Sequence, residues 1–316
     1  MRFVFVMDPL DRVTHDKDTT FAFLQAAQAR GHQSYHCLLR DLFISNGETW
    51  ATVHRVEILE AAPWIILHKE QGPERIRLAE TDAVFMRKDP PFDRAYLYGT
   101  LMLERCRGGP LLINDPRGLR DANEKLYALN FPEWTPRTLV TADRSMIHDF
   151  CRDVGGTAMI KPLDGAGGSG VIQIKTGDKT ARAIVDMLTH EGHRLALVQE
   201  FLPSVSEGDK RVLLIDGVAL PFALARIPQG SEVRGNLAAG GKGVARPISA
   251  RDREIAETLG PVLAARGLLL VGLDVIGDCL TEINVTSPTC FQEIFDQTGC
   301  NVAALFIDAL EAALRG

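Results

Sequence analysis

The sequence predicts an α/β N-terminal half built on a parallel sheet, followed by an α+β half with antiparallel sheets. Two patterns lead there. Up to about residue 122, short apolar runs alternate with helical patterns, the signature of a mostly parallel sheet with helices on its faces. Beyond it, β-branched runs come in pairs joined by glycine turns, the signature of antiparallel pairing. The 316 residues suffice for two ordinary domains.

Residues 2–7 read as a buried strand closed by Asp8 and Pro9. A helix follows, capped by Asp18, Thr19 or Thr20, continuing through Ala29 and stopped by Gly31. Strands at Ala83–Met86 and Leu111–Ile113 flank a helical stretch from Tyr96 to Cys106, while residues 50–80 are less distinctive. After Asp115-Pro116 the pattern predicts a helix around Asp121–Leu129, then a proline-punctuated strand through Leu139 and Val140. Ala158–Leu163 and Val171–Ile174 flank a glycine loop. Leu195–Phe201, Arg211–Ile215, Ala219–Ala225 and Leu268–Ile276 are further strands, with helices at Thr180–Leu188, Asp252–Ala265 and Val302–Leu314.

Composition narrows the function. Hydrophobic residues are 46% and charged residues 24%, the mix of a soluble globular protein. No run approaches the roughly 18 apolar residues that span a membrane. The apolar start, Phe3 to Met7, is shorter than the roughly 7–15 residues of a secretory signal. A cytosolic protein is expected. The six cysteines form no CxxC pair and no zinc spacing, so reduced, packed thiols are expected. A net charge of −6 disfavours a general nucleic-acid binder. Yet Lys125, Lys161, Lys210, Arg211, Arg226, Arg234 and Lys242 sit beside Gly, Asp or Asn turns, which suits a small anionic ligand.

Gly165, Gly167 and Gly170 satisfy GxGxxG, a weak signal alone. The dinucleotide version must open a helix, whereas this loop opens onto the strand Val171-Ile-Gln-Ile174. Strand, glycine loop, strand makes a hairpin flap that can lay backbone N–H groups over phosphates. Lys161 on the preceding strand places an ammonium under it. A second segment, Gly235 to Gly243, misses the P-loop pattern because Gly243 stands where Ser or Thr would hold magnesium. Residues 227–243 make a long loop with few apolar anchors, the character of a lid.

Asp274 ends an apolar run, and Glu282 and Asn284 then alternate onto one face of a returning strand. Oxygen-only ligands suit magnesium shared with phosphates. A two-residue turn would set Asp274 opposite Thr281, and a three-residue loop would set it opposite Glu282; the second is expected. Two other constellations carry less. His190-Glu-Gly-His193 reads as a helix end. Cys290 has no His nearby in sequence to activate it.

Four segments then resemble one family: Met86-Arg-Lys-Asp-Pro-Pro-Phe-Asp93, Leu163-Asp-Gly-Ala-Gly-Gly168, Ala225-Arg-Ile-Pro-Gln-Gly230 with Arg234-Gly-Asn-Leu-Ala-Ala-Gly-Gly241, and Thr281-Glu-Ile-Asn-Val-Thr-Ser-Pro-Thr289. They resemble the bacterial glutathione synthetase family, of the ATP-grasp fold, from Met7-Asp8-Pro9 to about Thr289. The resemblance implies an α/β domain over 1–122 and an ATP-grasp domain over 123–316, with a central subdomain at about 130–200 and a C-terminal one at about 201–316. It implies ATP as co-substrate with Lys125 and Lys161 on its phosphates and Gly165, Gly167 and Gly168 in the flap. Glu200, Phe201 and Leu202 would lie beside adenine, and Asp209 near ribose. Asp274, Glu282 and Asn284 would hold magnesium, with manganese as an alternative. Arg211, Arg226, Arg234 and Asn236 would serve the reacting groups, and 227–242 would close as the lid. Asp8, Arg87, Ser287 and Thr289 would bind γ-glutamylcysteine, which is joined to glycine through an acyl phosphate. Neither nucleic acid nor membrane is implied, and a homo-oligomer, by resemblance a tetramer, is. Two other readings stay open: an ATP-grasp ligase for another acceptor peptide, and a nucleotide-binding sensor on the same scaffold.

Overall fold

Phe3, Val4, Phe5 and Val6 are wholly buried. A strand apolar on both faces needs cover on both, and this requirement shapes the first third of the chain. The computed structural model describes residues 1–62, 64–68, 72–230 and 232–315. In its first sheet, β1 (Arg2–Met7), β2 (Gln33–Cys37), β7 (Ala83–Arg87) and β8 (Leu111–Ile113) run parallel in the order β2-β1-β7-β8. An antiparallel flank extends it with β3 (Leu42–Ser45), β4 (Glu48–Ile58), β5 (Ile65–Leu67) and β6 (Glu74–Arg77).

Helix α1 (Thr19–Ala29) starts where the Asp18 carboxylate accepts the Phe21 N–H. It covers one face of the sheet together with two helices from the far end of the chain, α7 (Phe291–Thr298) and α8 (Val302–Arg315). The Phe23 ring lies 5.1 Å from Phe291 and 4.7 Å from Phe306. Helices α2 (Arg94–Glu104) and α3 (Pro116–Asp121) pack on one another.

The second sheet is wholly antiparallel, in the order β11-β10-β12-β9: β9 (Thr138–Thr141), β10 (Thr157–Pro162), β11 (Ile172–Lys175) and β12 (Ala196–Glu200). Helices α4 (Arg144–Asp153) and α5 (Ala181–Thr189) pack on it around Ile147, Ile160 and Val185. The third sheet runs β15-β14-β13-β16-β17, all antiparallel, from β13 (Asp209–Ile215), β14 (Val218–Ile227), β15 (Lys242–Pro247), β16 (Leu270–Ile276) and β17 (Cys279–Asn284). Helix α6 (Ala250–Ala264) backs it.

Two expectations are corrected. The helix around Asp121–Leu129 is instead α3, started five residues earlier by Asp115 and Pro116, then a turn and a 3-10 segment at Tyr127–Asn130. Asn123 causes the break: its Oδ1 accepts the Lys125 and Leu126 N–H groups, an Asx turn that competes with helix. The β16–β17 connection is the other. Asp274 does face Glu282, but across a two-residue turn, because Ile276 faces Cys279 and an irregularity between Asp274 and Val275 shifts the register by one.

The halves are stitched at Asn114. Its Nδ2 donates to the Leu270 and Val285 carbonyls, each at 2.7 Å, and its Oδ1 accepts the Leu270 N–H at 2.9 Å. All of this is buried, so loss of the amide strands backbone groups as well as removing bonds. Asn114→Ala is expected to lower unfolding free energy by about 2–4 kcal/mol, read as a lower urea midpoint at unchanged slope.

Candidate active site

The flap is a loop that only glycine can build. Gly167, Gly168 and Gly170 have φ of +62°, +79° and +70°, and a Cβ on Gly165 would stand 2.7 Å from the Pro162 ring. Lys161 enters the site from β10, itself buried, between the buried Ile160 and the half-buried Pro162. The Asx turn at Asn123 brings in the other ammonium: Lys125 Nζ donates to the Gly165 carbonyl at 2.6 Å. Lys125 and Lys161 lie 3.8 and 3.7 Å from Glu282 Oε1, charge neighbours beyond hydrogen-bond range.

Beneath them lies a buried network of four charges. Arg211 faces Asp274 across β13 and β16, and Arg226 faces Asp209 across β13 and β14. Arg211 Nε and Nη2 donate to the two Asp274 oxygens at 2.5 and 3.0 Å, a bidentate pair. Arg226 Nη2 stands 2.7 Å from Asp209 Oδ2 and 2.9 Å from Asp274 Oδ2. These last two are ion-pair contacts whose angles miss hydrogen-bond geometry, and Arg226 Nη2 and Asp209 Oδ1 lack an aligned partner among the described residues.

Burial alone would push the Asp274 carboxyl up, but Arg211 and Arg226 outweigh it and hold it well below the usual carboxylate range. At Asp209 burial prevails over Arg226, aided by repulsion from Asp274, and the carboxyl is raised. Arg226 is held well above its ordinary value: burial opposes the charge, and the two carboxylates overcome it. Asp274 thus adds stability above the usual carboxylate pKa, which is lost as pH falls through its lowered folded value.

The fit to a divalent cation is uneven. Glu282 has the Lys125 and Lys161 ammonium groups near it and faces Asp274 across the strands, and Asn284 donates Nδ2 to the Gly272 carbonyl at 3.3 Å, which leaves Oδ1 to accept or coordinate. A carboxylate and an amide oxygen suit magnesium shared with phosphate. Both Asp274 oxygens are already taken by guanidinium groups.

Residues 228–241 arch over the network between β14 and β15, with residue 231 outside the described residues. Gly235 rests on the network's backbone, where a Cβ would lie 2.2 Å from the Arg226 carbonyl oxygen. Arg234 Nη1 donates to the Gly168 carbonyl at 3.1 Å, so lid and flap touch. The same arginine pulls the Glu232 carboxyl down to about 2 by hydrogen bonding.

Two clefts result, with about 650 and 1070 Å³ of empty space that opens to solvent. Glu200, Phe201, Leu202, Lys161, Gly168, Asp209 and Arg234 line the first. Arg211, Arg226, Asn284, Gly167, Ser287 and Thr289 line the second, while Asn236, Asp274 and Glu282 border both. Gly165 borders a third recess.

Asp8 and Arg87 lie behind the wall. Asp8 pairs with Lys88 at 3.1 Å and accepts the Asp89 N–H at 3.1 Å. Arg87 is buried, giving Nε to Thr20 at 3.2 Å and Nη2 to the Pro288 carbonyl at 3.3 Å; it steadies the segment from Ser287 to Thr289. Ser287 Oγ in turn donates to Asp89 at 2.7 Å.

Sequence reasoning gave no role to two lining acids, Asp89 and Glu124, and set Cys290 aside. Glu124 was hidden because its stretch reads as a helix surface. Its Oε1 accepts the Val285 and Thr286 N–H groups at 3.2 and 3.3 Å and the Thr286 hydroxyl at 2.8 Å, and burial pushes its carboxyl up. The adjoining Asn123-Glu-Lys125 turn was the available signal. Cys290 caps α7 at φ +88°, and burial raises its thiol despite Arg211 and Arg226 nearby. His190 closes α5 in the left-handed conformation, φ +46°, as a helix end.

Residues 1–120 match the family described as prokaryotic glutathione synthetase, N-terminal domain, and residues 124–299 its ATP-grasp domain. The chain is 50% identical over 313 residues to a glutathione synthetase of Nitrosomonas europaea, and 46% over 311 residues to one of Salmonella typhimurium, covering 98% of both chains each time. Among solved structures it is similar to the D-cycloserine synthetase DcsG, with TM-score 0.69, 18% identity and 99% of each chain covered. It is similar also to the ATP-grasp ligase PsnB in complex with minimal precursor, Mg and ADP, with TM-score 0.62, 18% identity, and 100% and 98% covered. At such identity these two likenesses establish the ATP-grasp fold alone.

Removing one guanidinium from the four-charge network leaves two buried carboxylates facing one cation. Arg226→Ala is expected to lose about 3–5 kcal/mol of stability at neutral pH. The loss should shrink toward pH ~5, where the stranded carboxylates take up protons. Urea unfolding at the two pH values measures both.

Proposed function

The chain belongs to the prokaryotic glutathione synthetase family, and from that premise we propose that it ligates γ-L-glutamyl-L-cysteine to glycine, converting ATP to ADP and phosphate. The observation that carries this reading is the meeting of two cavities over one cluster of charge. A first cleft and a second one share Asn236, Asp274 and Glu282, with Lys161 on one side and Arg211 and Arg226 on the other.

In this reading the adenosine part of ATP occupies the first cavity beside Glu200, Phe201 and Leu202, with Asp209 toward ribose. Gly165–Gly168 covers the phosphates, and Lys125 and Lys161 neutralise them. Glu282 and Asn284 would hold magnesium, or manganese, with Asp274 behind them; the ion supplies charge neutralisation across phosphate oxygens. The peptide lies along Ser287 and Thr289, whose segment Arg87 and Asp8 support from behind.

The peptide's carboxylate oxygen attacks the γ-phosphorus of ATP, and the bond to the ADP oxygen breaks. Arg211 and Arg226 meet the developing charge without reorganising, because the carboxylates already fix them. The amine nitrogen of glycine then attacks the acyl carbon, the bond from that carbon to the phosphate oxygen breaks, and inorganic phosphate departs as the nitrogen gives up its proton. Arg234 and Asn236 hold the 227–242 lid on the flap, which keeps water from the acyl phosphate.

The division into 1–122 and 123–316, with subdomains at about 130–200 and 201–316, belongs to the same proposal, as does residence in the cytoplasm. No helix among the described residues is long and apolar enough to cross a membrane. Assembly as a homo-oligomer, a tetramer by family likeness, belongs to the proposal as well.

ADP release is expected to need magnesium, γ-glutamylcysteine and glycine together, with glutathione formed in equal amount; ADP release indifferent to the peptide would contradict the proposal. Glu282→Gln is expected to raise the magnesium needed for half-maximal rate on the order of tenfold or more, checked by titration at saturating ATP.

A further inference from the structure

We propose that Glu124 binds the ammonium group of the incoming amino acid, in a recess of its own beside the peptide cavity. This rests on the ligase reading above and adds to it the subsite of the second substrate.

The recess is lined by Phe92, Leu119, Arg120 and Asn123, and it shares Pro90, Glu124 and Thr286 with the larger cavity. Glu124 therefore stands in the wall between the two. One of its oxygens is fully committed: Oε1 takes the Val285 N–H, the Thr286 N–H and the Thr286 hydroxyl. The other, Oε2, accepts no hydrogen bond among the described residues. A carboxylate anchored at one oxygen and open at the other is suited to an ammonium, which brings three donors and a full charge.

The other acids bordering the larger cavity stand in different surroundings. Asp274 is clamped by two guanidinium groups. Glu282 faces two lysines. Asp89 accepts the Ser287 hydroxyl. Glu124 differs from them by its place in the recess wall, with one oxygen anchored on Val285 and Thr286 and the other accepting no hydrogen bond among the described residues.

The rest of the recess fits a small amino acid. Arg120 is tied to Glu104 and, at 3.4 Å, to the Thr100 hydroxyl, which fixes a guanidinium at the lining for the acceptor's carboxylate. The Phe92 ring, packed 4.5 Å from Tyr96, and Leu119 leave apolar walls around the acceptor's Cα. Side chains longer than hydrogen would meet them.

Hydroxylamine tests the assignment because it is uncharged at neutral pH and captures an acyl phosphate without an ammonium subsite. The full-length enzyme and Glu124→Gln are compared with ATP, magnesium and γ-glutamylcysteine, once with glycine and once with hydroxylamine. Gln keeps an Oε1 acceptor for Val285 and Thr286 and loses the anion. Glycine ligation is expected to fall on the order of 10- to 100-fold, mainly through KM for glycine, while hydroxamate formation stays within about threefold. An equal fall in both reactions, or no fall in either, overturns the proposal. Failure of the unaltered enzyme to form any hydroxamate would instead strike the ligase reading beneath it. Should Glu124→Gln not fold, Phe92→Ala decides: the rate with alanine relative to glycine is expected to rise about tenfold or more. An unchanged ratio overturns the assignment.

Discussion

The structure depends on one electrostatic constraint: Asp209, Arg226, Asp274 and Arg211 are buried together and must balance. Each is under a tenth exposed, and each strand of the pairings β14-β13-β16 contributes. Charges taken out of water survive only when paired. Because partners face one another across strands, the sheet register is also a charge register. A slip of one residue would turn these side chains to the opposite face and unpair the network. The same pairing that satisfies the carboxylates holds two guanidinium groups at the cavity wall, where a phosphoryl group can use them without further reorganisation.

Two loops depend on this base. The lid lies on it because Gly235 permits contact with the Arg226 backbone, and the flap meets the lid through Arg234 and the Gly168 carbonyl. A Cβ on Gly168 would come within 2.6 Å of Asn236 Oδ1, so glycine at 168 is needed for the two loops to close on each other. Few apolar anchors hold either loop, so closure rests on polar contacts that a bound anion can strengthen. The N-terminal sheet closes the remaining side, fixed by Asn114 and by helices from the end of the chain.

Much of this was legible in the sequence where apolar period and special residues agree. Strands β1, β7 and β16 are apolar runs apart from Arg2, Arg87 and Asp274, and the glycines of the flap announce a loop. Strand β4 was not seen, although Trp50 to Ile58 alternates, because its outward positions carry Thr, His, Arg and Glu that blur the apolar signal. The helix expected at 121–129 failed because a side chain, Asn123, captured backbone groups that periodicity assigns to a helix. The facing of Asp274 and Glu282 was foreseen, but from a longer turn than the chain uses. What spacing could not supply was the pairing of acids with arginines. That pairing makes Asp274 part of a clamp. The hold of Val285 and Thr286 on one Glu124 oxygen is visible only once the end of β17 lies beside the Asn123 turn.

The central claim is that this charge cluster activates a carboxylate by phosphorylation. The direct measurement uses γ-glutamylcysteine labelled with ¹⁸O in its cysteinyl carboxylate, with mass analysis of the phosphate released during a full turnover with glycine and ATP. The account predicts one ¹⁸O atom carried from the peptide into each inorganic phosphate. Phosphate free of the label, with the lost ¹⁸O found in water or in AMP instead, would contradict it.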